Sequence, residues 1–226
     1  MVILAGGAGT RLKPVLKDRP KVLAPIEGIP CLDHLLSYLR SFGARRFILA
    51  LGIHSEAVKR HVAGVPDVVC SVEPRPMGTG GAVRSVLPKV ASDVILVLNG
   101  DSILRADLCR FLRFHRSRNA EVTVLLSPVS DRLRYGKVVT DRRGRVRSFG
   151  EKSSGGPGFV NAGAYLLSKR AAAGIRSRTR VSLERDFFPG LHPDNFFAFR
   201  SRAPFLDIGT PQSYREAGAF LRATRG

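Results

Sequence analysis

The chain has 226 residues, of which 44% are hydrophobic and 24% are charged, a globular composition that excludes a disordered or collagen-like chain. Lysine and arginine together number 37 against 18 acidic residues, so the formal net charge is +19. This excess is typical either of an arginine-rich solvated surface or of a protein that binds anions such as nucleotides, phosphorylated metabolites or nucleic acid.

Short apolar strands alternate with amphipathic helices through the first half of the chain. Strands are predicted at residues 2–5, 46–51, 68–72 and 94–98, and helices at 32–42, 55–62, 78–86 and 104–118. The run 94–98 is continuously apolar, as expected of a parallel strand that is buried on both faces. This β-α-β-α order predicts a doubly wound sheet with helices on both sides.

The second half is predicted to be more antiparallel but to share the same sheet. Strands are predicted at residues 122–126, 136–140, 145–149, 159–167 and 196–199, with a turn at 141–144, a short helix at 182–188 and a closing helix at 211–222. No repeat or long linker divides the chain. We therefore predict one α/β domain over residues 1–226, with halves 1–118 and 119–226 and a mixed, mostly parallel central sheet.

The cysteines and histidines show no spacing typical of metal ligands. Cys31, Cys70 and Cys109 lie far apart without a CxxC motif, so we expect buried free thiols, in agreement with a cytoplasmic location. No apolar stretch has the length of a membrane span. The first residues carry no basic segment before their apolar run, so we expect no signal peptide.

A glycine-rich segment follows the first predicted strand. It contains Leu4, Ala5, Gly6, Gly7, Gly9, Thr10 and Arg11, and Lys21 follows ten residues later. Glycines let the backbone approach a phosphate chain and direct N–H groups to it, and the two cations would add positive charge. The segment lacks the Gly-Lys-Ser/Thr end of a P-loop, and Leu12 replaces the third glycine of a dinucleotide fingerprint. We predict a phosphate-binding loop, with a turn carrying two solvated bases as the alternative.

Two aspartates end apolar stretches that are far apart in the sequence. Asp101 follows the predicted strand 94–98 at its carboxyl end, where open α/β sheets bind ligands. Asp207 follows a second apolar stretch. Either carboxylate would suit a magnesium ion, which also takes phosphate oxygens and water, although each would equally serve as a cap of a helix or turn.

These motifs resemble those of the sugar-1-phosphate nucleotidylyltransferases. The sequence Gly-Gly-Ala-Gly-Thr-Arg-Leu, continued by Pro-Lys-Val-Leu-Ala-Pro at residues 20–25, is similar to the signature of that family. Further similar segments are residues 73–81, 99–101, 135–136, 151–152, 161–163 and 206–210. Among the short members, the chain most resembles guanylyltransferases acting on D-glycero-D-manno-heptose 1-phosphate, ahead of those acting on mannose 1-phosphate and of short uridylyltransferases.

The resemblance implies a Rossmann-like three-layer sandwich of GT-A type, with nucleotide bound by the first half and sugar phosphate by the second. The implied nucleotide-binding residues are Leu4, Ala5, Gly6, Gly7, Gly9, Thr10, Arg11, Lys21, Glu73, Gly78, Thr79, Asn99 and Gly100. The implied sugar-phosphate contacts are Tyr135, Gly136, Glu151, Lys152, Asn161, Gly163 and Glu184. The implied catalytic residues are Arg11, Lys21, Asp101 and Lys152, and the implied metal ligands are Asp101 and Asp207. For Tyr135 and Asn161 a turn or strand position is the alternative, and for Glu184 a solvated helix face.

The expected activity is nucleotidyl transfer from a nucleoside triphosphate to a sugar 1-phosphate with Mg²⁺, or alternatively Mn²⁺. Glu73 favours GTP, because one carboxylate accepts both the N1–H and the 2-amino group of guanine. A sensor that binds nucleotide-sugars without catalysis is the alternative from another class. Nucleic acid is not the expected partner, because no recognisable module is visible. The sequence leaves the oligomeric state open and allows a homo-oligomer.

Overall fold

The computed structural model describes residues 1–7, 9–133, 135–150, 155–176 and 180–224. Its strands are β1 (Val2–Ala5), β2 (Pro25–Ile26), β3 (Ile29–Pro30), β4 (Phe47–Leu51), β5 (Val68–Val72), β6 (Val94–Asn99), β7 (Ser102–Leu104), β8 (Val122–Val129), β9 (Val138–Thr140), β10 (Val146–Phe149), β11 (Gly158–Ser168), β12 (Phe196–Arg200) and β13 (Phe205–Asp207). Its α-helices are α1 (Lys13–Leu16), α2 (Cys31–Ser41), α3 (Ser55–His61), α4 (Gly78–Val86), α5 (Leu108–Ser117), α6 (Lys169–Ala173) and α7 (Pro211–Ala223).

Seven strands form the central sheet, in the order β12–β8–β11–β6–β1–β4–β5. Within this sheet β11 alone runs antiparallel to its neighbours, β6 and β8, and the other strands share one direction. The remaining described strands pair as β2–β3, β7–β13 and β9–β10. The prediction of a mixed, mostly parallel sheet is confirmed.

Helices cover both faces of the sheet because successive side chains of each strand point to opposite faces. Ile3 and Leu49 pack on the face that is covered by α2, α3 and α5. Their neighbours Val2 and Ile48 pack on the other face with α4 and α6. All four side chains are buried. The result is the predicted three-layer sandwich.

Helix α2, which covers one face of the sheet, forms where the leucine spacing predicts it. Leu32, Leu35, Leu36 and Leu39 recur at helical intervals and are all buried against the sheet. Gly43 follows the helix with φ +77°, a left-handed conformation that favours glycine and ends the helix.

Two helices differ from the prediction by more than one terminal residue or in type. The helix predicted at 104–118 begins at Leu108, because Leu104 belongs to β7 and pairs with Phe205 of β13. Asp107 then caps α5 by accepting a hydrogen bond from the backbone N–H of Arg110 at 2.9 Å. The helix predicted at 182–188 is a π-helical turn, Leu183–Phe187, followed by a 3₁₀ turn.

The three cysteines are free, but their environments differ. Cys31 is buried and Cys70 is partly exposed, whereas Cys109 is exposed on α5, so the expectation of a buried thiol is wrong there. Burial raises the pKa of the Cys31 thiol to about 12. Within the described ranges, no helix combines the length and the apolar character that crossing a membrane requires.

Candidate active site

The carboxyl ends of β1, β4 and β6 meet at one edge of the sheet and border a cavity of about 930 Å³. Open α/β sheets bind ligands at this edge. Ten residues predicted to bind nucleotide or metal line the cavity: Leu4, Ala5, Gly6, Gly7, Lys21, Glu73, Gly78, Thr79, Asn99 and Asp101. The wall is completed by Pro20, Val22, Ala50, Ile53, Pro76, Ala82, Arg180, Ser182, Arg185 and Asp186.

The glycine-rich segment leaves β1 in contact with the backbone that leaves β4. A Cβ atom on Gly52 would lie 2.7 Å from the carbonyl oxygen of Gly6, and a Cβ atom on Gly6 would lie 3.1 Å from the Gly52 nitrogen. A side chain at either position would therefore push the two backbones apart. Gly9 then adopts φ +61° and leads into the 3₁₀ helix Thr10–Leu12, which contains Arg11.

Four charged side chains converge where β7 and β13 pair. Lys21 forms an ion pair with Asp101, which directly precedes β7. Asp207, the last residue of β13, accepts a hydrogen bond from the Gly209 N–H at 2.9 Å. A Cβ atom on Gly209 would lie 2.4 Å from Asp207 Oδ1. The same position is 3.4 Å from Lys21 Nζ and 3.5 Å from Arg11 Nη2. The fold thus brings together two cations and two carboxylates that come from four separate segments.

Asp101 and Asp207 fit a magnesium ion by the chemistry of their donor atoms. Mg²⁺ is usually held by one or two carboxylates and completes its coordination with water and substrate phosphates. No group of three or more His, Cys, Asp and Glu side chains in the described part of the chain is arranged to hold a metal. Two carboxylates are enough for a magnesium ion whose remaining ligands are phosphate oxygens and water.

Glu73 lines the same cavity but follows β5, three strands away from β6. Strands are about 4.8 Å apart, so β5 and β6 lie roughly 14 Å apart across the sheet. The backbone N–H of Met77 donates to Glu73 Oε2 at 3.1 Å and orients the carboxylate. Burial raises the pKa of Glu73, and the Met77 N–H partly opposes this shift. Glu73 thus lies at one end of the cavity, and Lys21 and Asp101 of the charged cluster lie at the other.

The glycines at the start of α4 pack against the backbone of Val181. The carbonyl oxygen of Val181 accepts the Gly80 N–H at 2.8 Å, and the Val181 N–H donates to the Met77 carbonyl at 2.8 Å. Gly78 has φ +75°, and a Cβ atom there would lie 2.4 Å from the Val181 oxygen. The segment from Arg180 to Asp186 is thereby fixed as a wall of the cavity.

Asn161 and Gly163 lie on β11 beside the end of β6. Gly163 has φ +71°, and a Cβ atom there would lie 2.6 Å from Asn99 Nδ2, so the Asn99 side chain packs where a larger residue would stand. Asn161 Oδ1 accepts the Gly163 N–H at 3.0 Å, and Asn161 Nδ2 donates to the Tyr165 hydroxyl at 2.8 Å. The strand pairing with β8 shifts register between Asn161 and Tyr165.

The carboxylate of Glu184 is occupied by donors from the protein. Its Oε1 accepts the hydroxyl of Tyr165 at 2.8 Å. Its Oε2 accepts the hydroxyls of Thr79 at 2.9 Å and Ser182 at 2.8 Å. Both oxygens therefore have internal partners, and the sugar-phosphate contact predicted for Glu184 stays a prediction.

None of the described sugar-phosphate candidates, which are Tyr135, Gly136, Asn161, Gly163 and Glu184, is in the cavity lining. Tyr135 packs its ring against Phe205, with ring centroids 5.4 Å apart, and Gly136 follows it. Glu151 and Lys152 lie outside the described residues.

Several residues of the site were missed by the sequence analysis. Arg180 and Arg185 add positive charge to the cavity wall, and Ile53 adds a half-exposed apolar side chain. Gly52 and Gly209 make room for neighbouring groups at strand ends. Gly52 is marked only by its place just after an apolar strand, and Gly209 lies in the segment 206–210 that carries part of the resemblance. No pattern marks the two arginines.

Known proteins resemble this chain over nearly its whole length. The model of the Nucleotidyl transferase family matches residues 1–224. The chain is 34% identical to the D-glycero-alpha-D-manno-heptose 1-phosphate guanylyltransferase of Aneurinibacillus thermoaerophilus, over 96% of this chain and 95% of that protein. It is also 34% identical to a mannose-1-phosphate guanylyltransferase of Mycobacterium tuberculosis, of which it covers 64%.

Among solved structures, HddC from Yersinia pseudotuberculosis complexed with GMP-PN superposes with a TM-score of 0.88 and 34% sequence identity. The match covers 97% of this chain and 98% of that one. The chain therefore belongs to the nucleotidyl transferase family.

Proposed function

We propose that the protein transfers a guanylyl group from GTP to a sugar 1-phosphate and releases pyrophosphate. The observation that carries this proposal is the convergence of Arg11, Lys21, Asp101 and Asp207 beside a glycine-rich loop. Such a cluster suits a triphosphate together with its metal ion. The names of the relatives make D-glycero-α-D-manno-heptose 1-phosphate the first candidate for the acceptor.

Glu73 supports guanine as the base. Guanine offers N1–H and the 2-amino group side by side, and one carboxylate accepts both, whereas uracil and thymine offer a single donor between two acceptors. Glu73 and Asp101 line one cavity from strands roughly 14 Å apart, so a base at Glu73 and phosphates at Asp101 would belong to a single extended nucleotide. The similarity to a structure complexed with GMP-PN also supports a guanine nucleotide.

The reaction follows from positions and charges. Asp101 and Asp207 would hold Mg²⁺, or alternatively Mn²⁺, which supplies Lewis-acid polarisation of phosphate oxygens when bound. Arg11 and Lys21 bind the triphosphate and neutralise the negative charge that develops on the departing pyrophosphate. The acceptor phosphate is already an anion, so its oxygen attacks the α-phosphorus in line without a general base.

The acceptor would lie against the second half of the chain, residues 119–226. Gly163 packs against Asn99, two residues before Asp101, and Arg180 adds a cation to the cavity wall. Lys152 would meet the sugar phosphate. Tyr135, Gly136 and Glu151 stay proposed contacts, and the cytoplasmic location and the homo-oligomer stay predictions.

The test is pyrophosphate release over a grid of the four ribonucleoside triphosphates and dTTP. Each is paired with heptose, mannose, glucose and N-acetylhexosamine 1-phosphates, with and without Mg²⁺. We expect release only with GTP, metal and the heptose phosphate. Release with mannose 1-phosphate would favour the second candidate, which the Mycobacterium tuberculosis relative suggests. Release with UTP or dTTP would overturn guanine as the base, and nucleotide binding without any release would favour a sensor.

A further inference from the structure

Glu184 stands between the two halves of the candidate site. Its carboxylate accepts three neutral hydroxyl donors, one from β11, one from the start of α4 and one from its own segment. The β11 donor is Tyr165, which is completely buried and packs on Phe188 with ring centroids 5.1 Å apart. A carboxylate held by donors on two elements fixes the position of each element relative to the other.

On the sugar-phosphate side, the hydrogen bonds have one consistent direction. Tyr165 donates its only hydroxyl proton to Glu184, so its oxygen is left to accept the amide N–H of Asn161. The amide oxygen of Asn161 therefore faces the N–H of Gly163. Gly163 in turn packs against the side chain of Asn99, two residues before Asp101.

On the nucleotide side, Thr79 is the residue that hydrogen-bonds to Glu184. Its hydroxyl donates to Glu184 and accepts the backbone N–H of Leu183 at 2.8 Å. Thr79 lines the cavity within the helix start that follows Glu73 and Met77. Any shift of this helix start when nucleotide binds therefore reaches Glu184 directly.

We propose that Glu184 is a positioning residue that couples nucleotide binding to the orientation of Asn161 on the sugar-phosphate side. This proposal rests on the proposed function and extends it, since it assigns Glu184 to communication between the two substrates and not to contact with either one. Binding of the nucleotide fixes Thr79, Glu184 and Tyr165 together. The sugar phosphate then binds beside an Asn161 amide whose orientation is already set by Tyr165.

The substitution Glu184→Gln tests this because it keeps the size but removes one acceptor. If the new amide nitrogen faces Tyr165, the hydroxyl must accept from it, and the Asn161 amide must turn over. If it faces Thr79, that hydroxyl receives two donors and loses its acceptor. Both arrangements break the one-way order of the hydrogen bonds.

The experiment measures the Kd of the sugar 1-phosphate that gives turnover in the grid, with and without saturating guanosine 5′-(α,β-methylene)triphosphate. In the unsubstituted protein we expect the analogue to tighten this Kd by about 5- to 100-fold. In Glu184→Gln we expect the factor to fall close to one, with thermal unfolding showing that the fold persists. Tyr165→Phe removes the hydrogen bond to Glu184 on the sugar-phosphate side, and Thr79→Val removes the one on the nucleotide side. Each variant should abolish the coupling, and the double variant should lose no more coupling than either single variant.

Glu121→Gln is the matched control. The Glu121 carboxylate also accepts a serine hydroxyl, from Ser168, and the Arg170 guanidinium, but neither partner lines the cavity, whereas Thr79 and Ser182, the partners of Glu184, do. Coupling should survive in this control. Coupling that persists in Glu184→Gln, or that is equally lost in Glu121→Gln, overturns the proposal, as does independent binding of the two ligands to the unsubstituted protein. If no sugar phosphate reacts at all, the proposed function fails first and this proposal fails with it.

Discussion

Lys21 and Asp101 form an ion pair although 80 residues separate them, and the lysine side chain is the more buried partner, 14% exposed against 31%. The proposed reaction needs both groups for other partners: Lys21 for a phosphate and Asp101 for a metal ion. Binding of a metal nucleotide would therefore replace this ion pair by two others, one between Lys21 and a phosphate and one between Asp101 and the metal ion. The pair keeps the lysine in place before the nucleotide arrives.

Replacing Lys21 should remove catalysis while keeping the fold. In Lys21→Met we expect kcat to fall about 10²- to 10³-fold, because the phosphates lose a positioned cation. The measurement is pyrophosphate release at saturating GTP, with circular dichroism as the check on folding. Lys169→Met is the control, because Lys169 binds the Val90 carbonyl at 2.7 Å and does not line the cavity. Turnover close to normal in Lys21→Met would contradict the assigned role.

The base preference should depend on Glu73. In Glu73→Gln we expect KM for GTP to rise about 10- to 100-fold, because a charge-assisted hydrogen bond to guanine contributes about 1.5–3 kcal/mol. Inosine triphosphate, which lacks the 2-amino group, is the internal control. The unsubstituted protein should prefer GTP to inosine triphosphate, and the variant should lose most of this preference. An unchanged preference would show that another group recognises the base.

The affinity for GTP should fall toward acid pH earlier than an exposed glutamate would cause. Burial raises the pKa of Glu73, and only its ionised form accepts both guanine donors. Binding is therefore complete above this raised pKa and is lost as the pH falls through it. The measurement is KM for GTP from neutral to mildly acid pH. In Glu73→Gln this acid limb should be missing, and its persistence would point to a different titrating group.

Gly78 should be required for stability as well as for the shape of the cavity. In Gly78→Ala the new Cβ atom would lie 2.4 Å from the Val181 oxygen, at a residue with φ +75°. The left-handed conformation alone costs about 1–2 kcal/mol, and displacement of Val181 adds to it. Urea unfolding measures the loss. Gly190→Ala is the control, because a Cβ atom there meets no heavy atom within 4 Å, and it should be nearly neutral.

The fold was largely predictable where its signals are local. The apolar runs of β1 and β6 and the leucine spacing of α2 identify these elements in the sequence alone. By contrast, β7 and β13 have three residues each and exist because they pair with one another, which no local pattern reports. The start of α5 was misplaced for the same reason.

The candidate site was predictable as a set of motifs but not as an arrangement. The glycine-rich segment, the strand end before Asp101 and the resemblance to the nucleotidylyltransferases together identified ten of the residues that line the cavity. The proximity of Asp207 to Arg11 and Lys21 depends on the β7–β13 pairing, which only the folded chain shows. The partners of Glu184 include Thr79, which is 105 residues away, so its hydrogen bonds could not be read from its own neighbourhood in the sequence.

The contact between Gly6 and Gly52 sets a limit on how sequences of this type can vary. Each glycine faces the backbone of the other, so a side chain gained at one position cannot be offset by a smaller one at its neighbour. The two positions should therefore be constrained jointly and should tolerate no compensating exchange. A homologous sequence that has lost Gly52 would have altered the entrance of its phosphate loop even if Gly6 and the motif around it were intact.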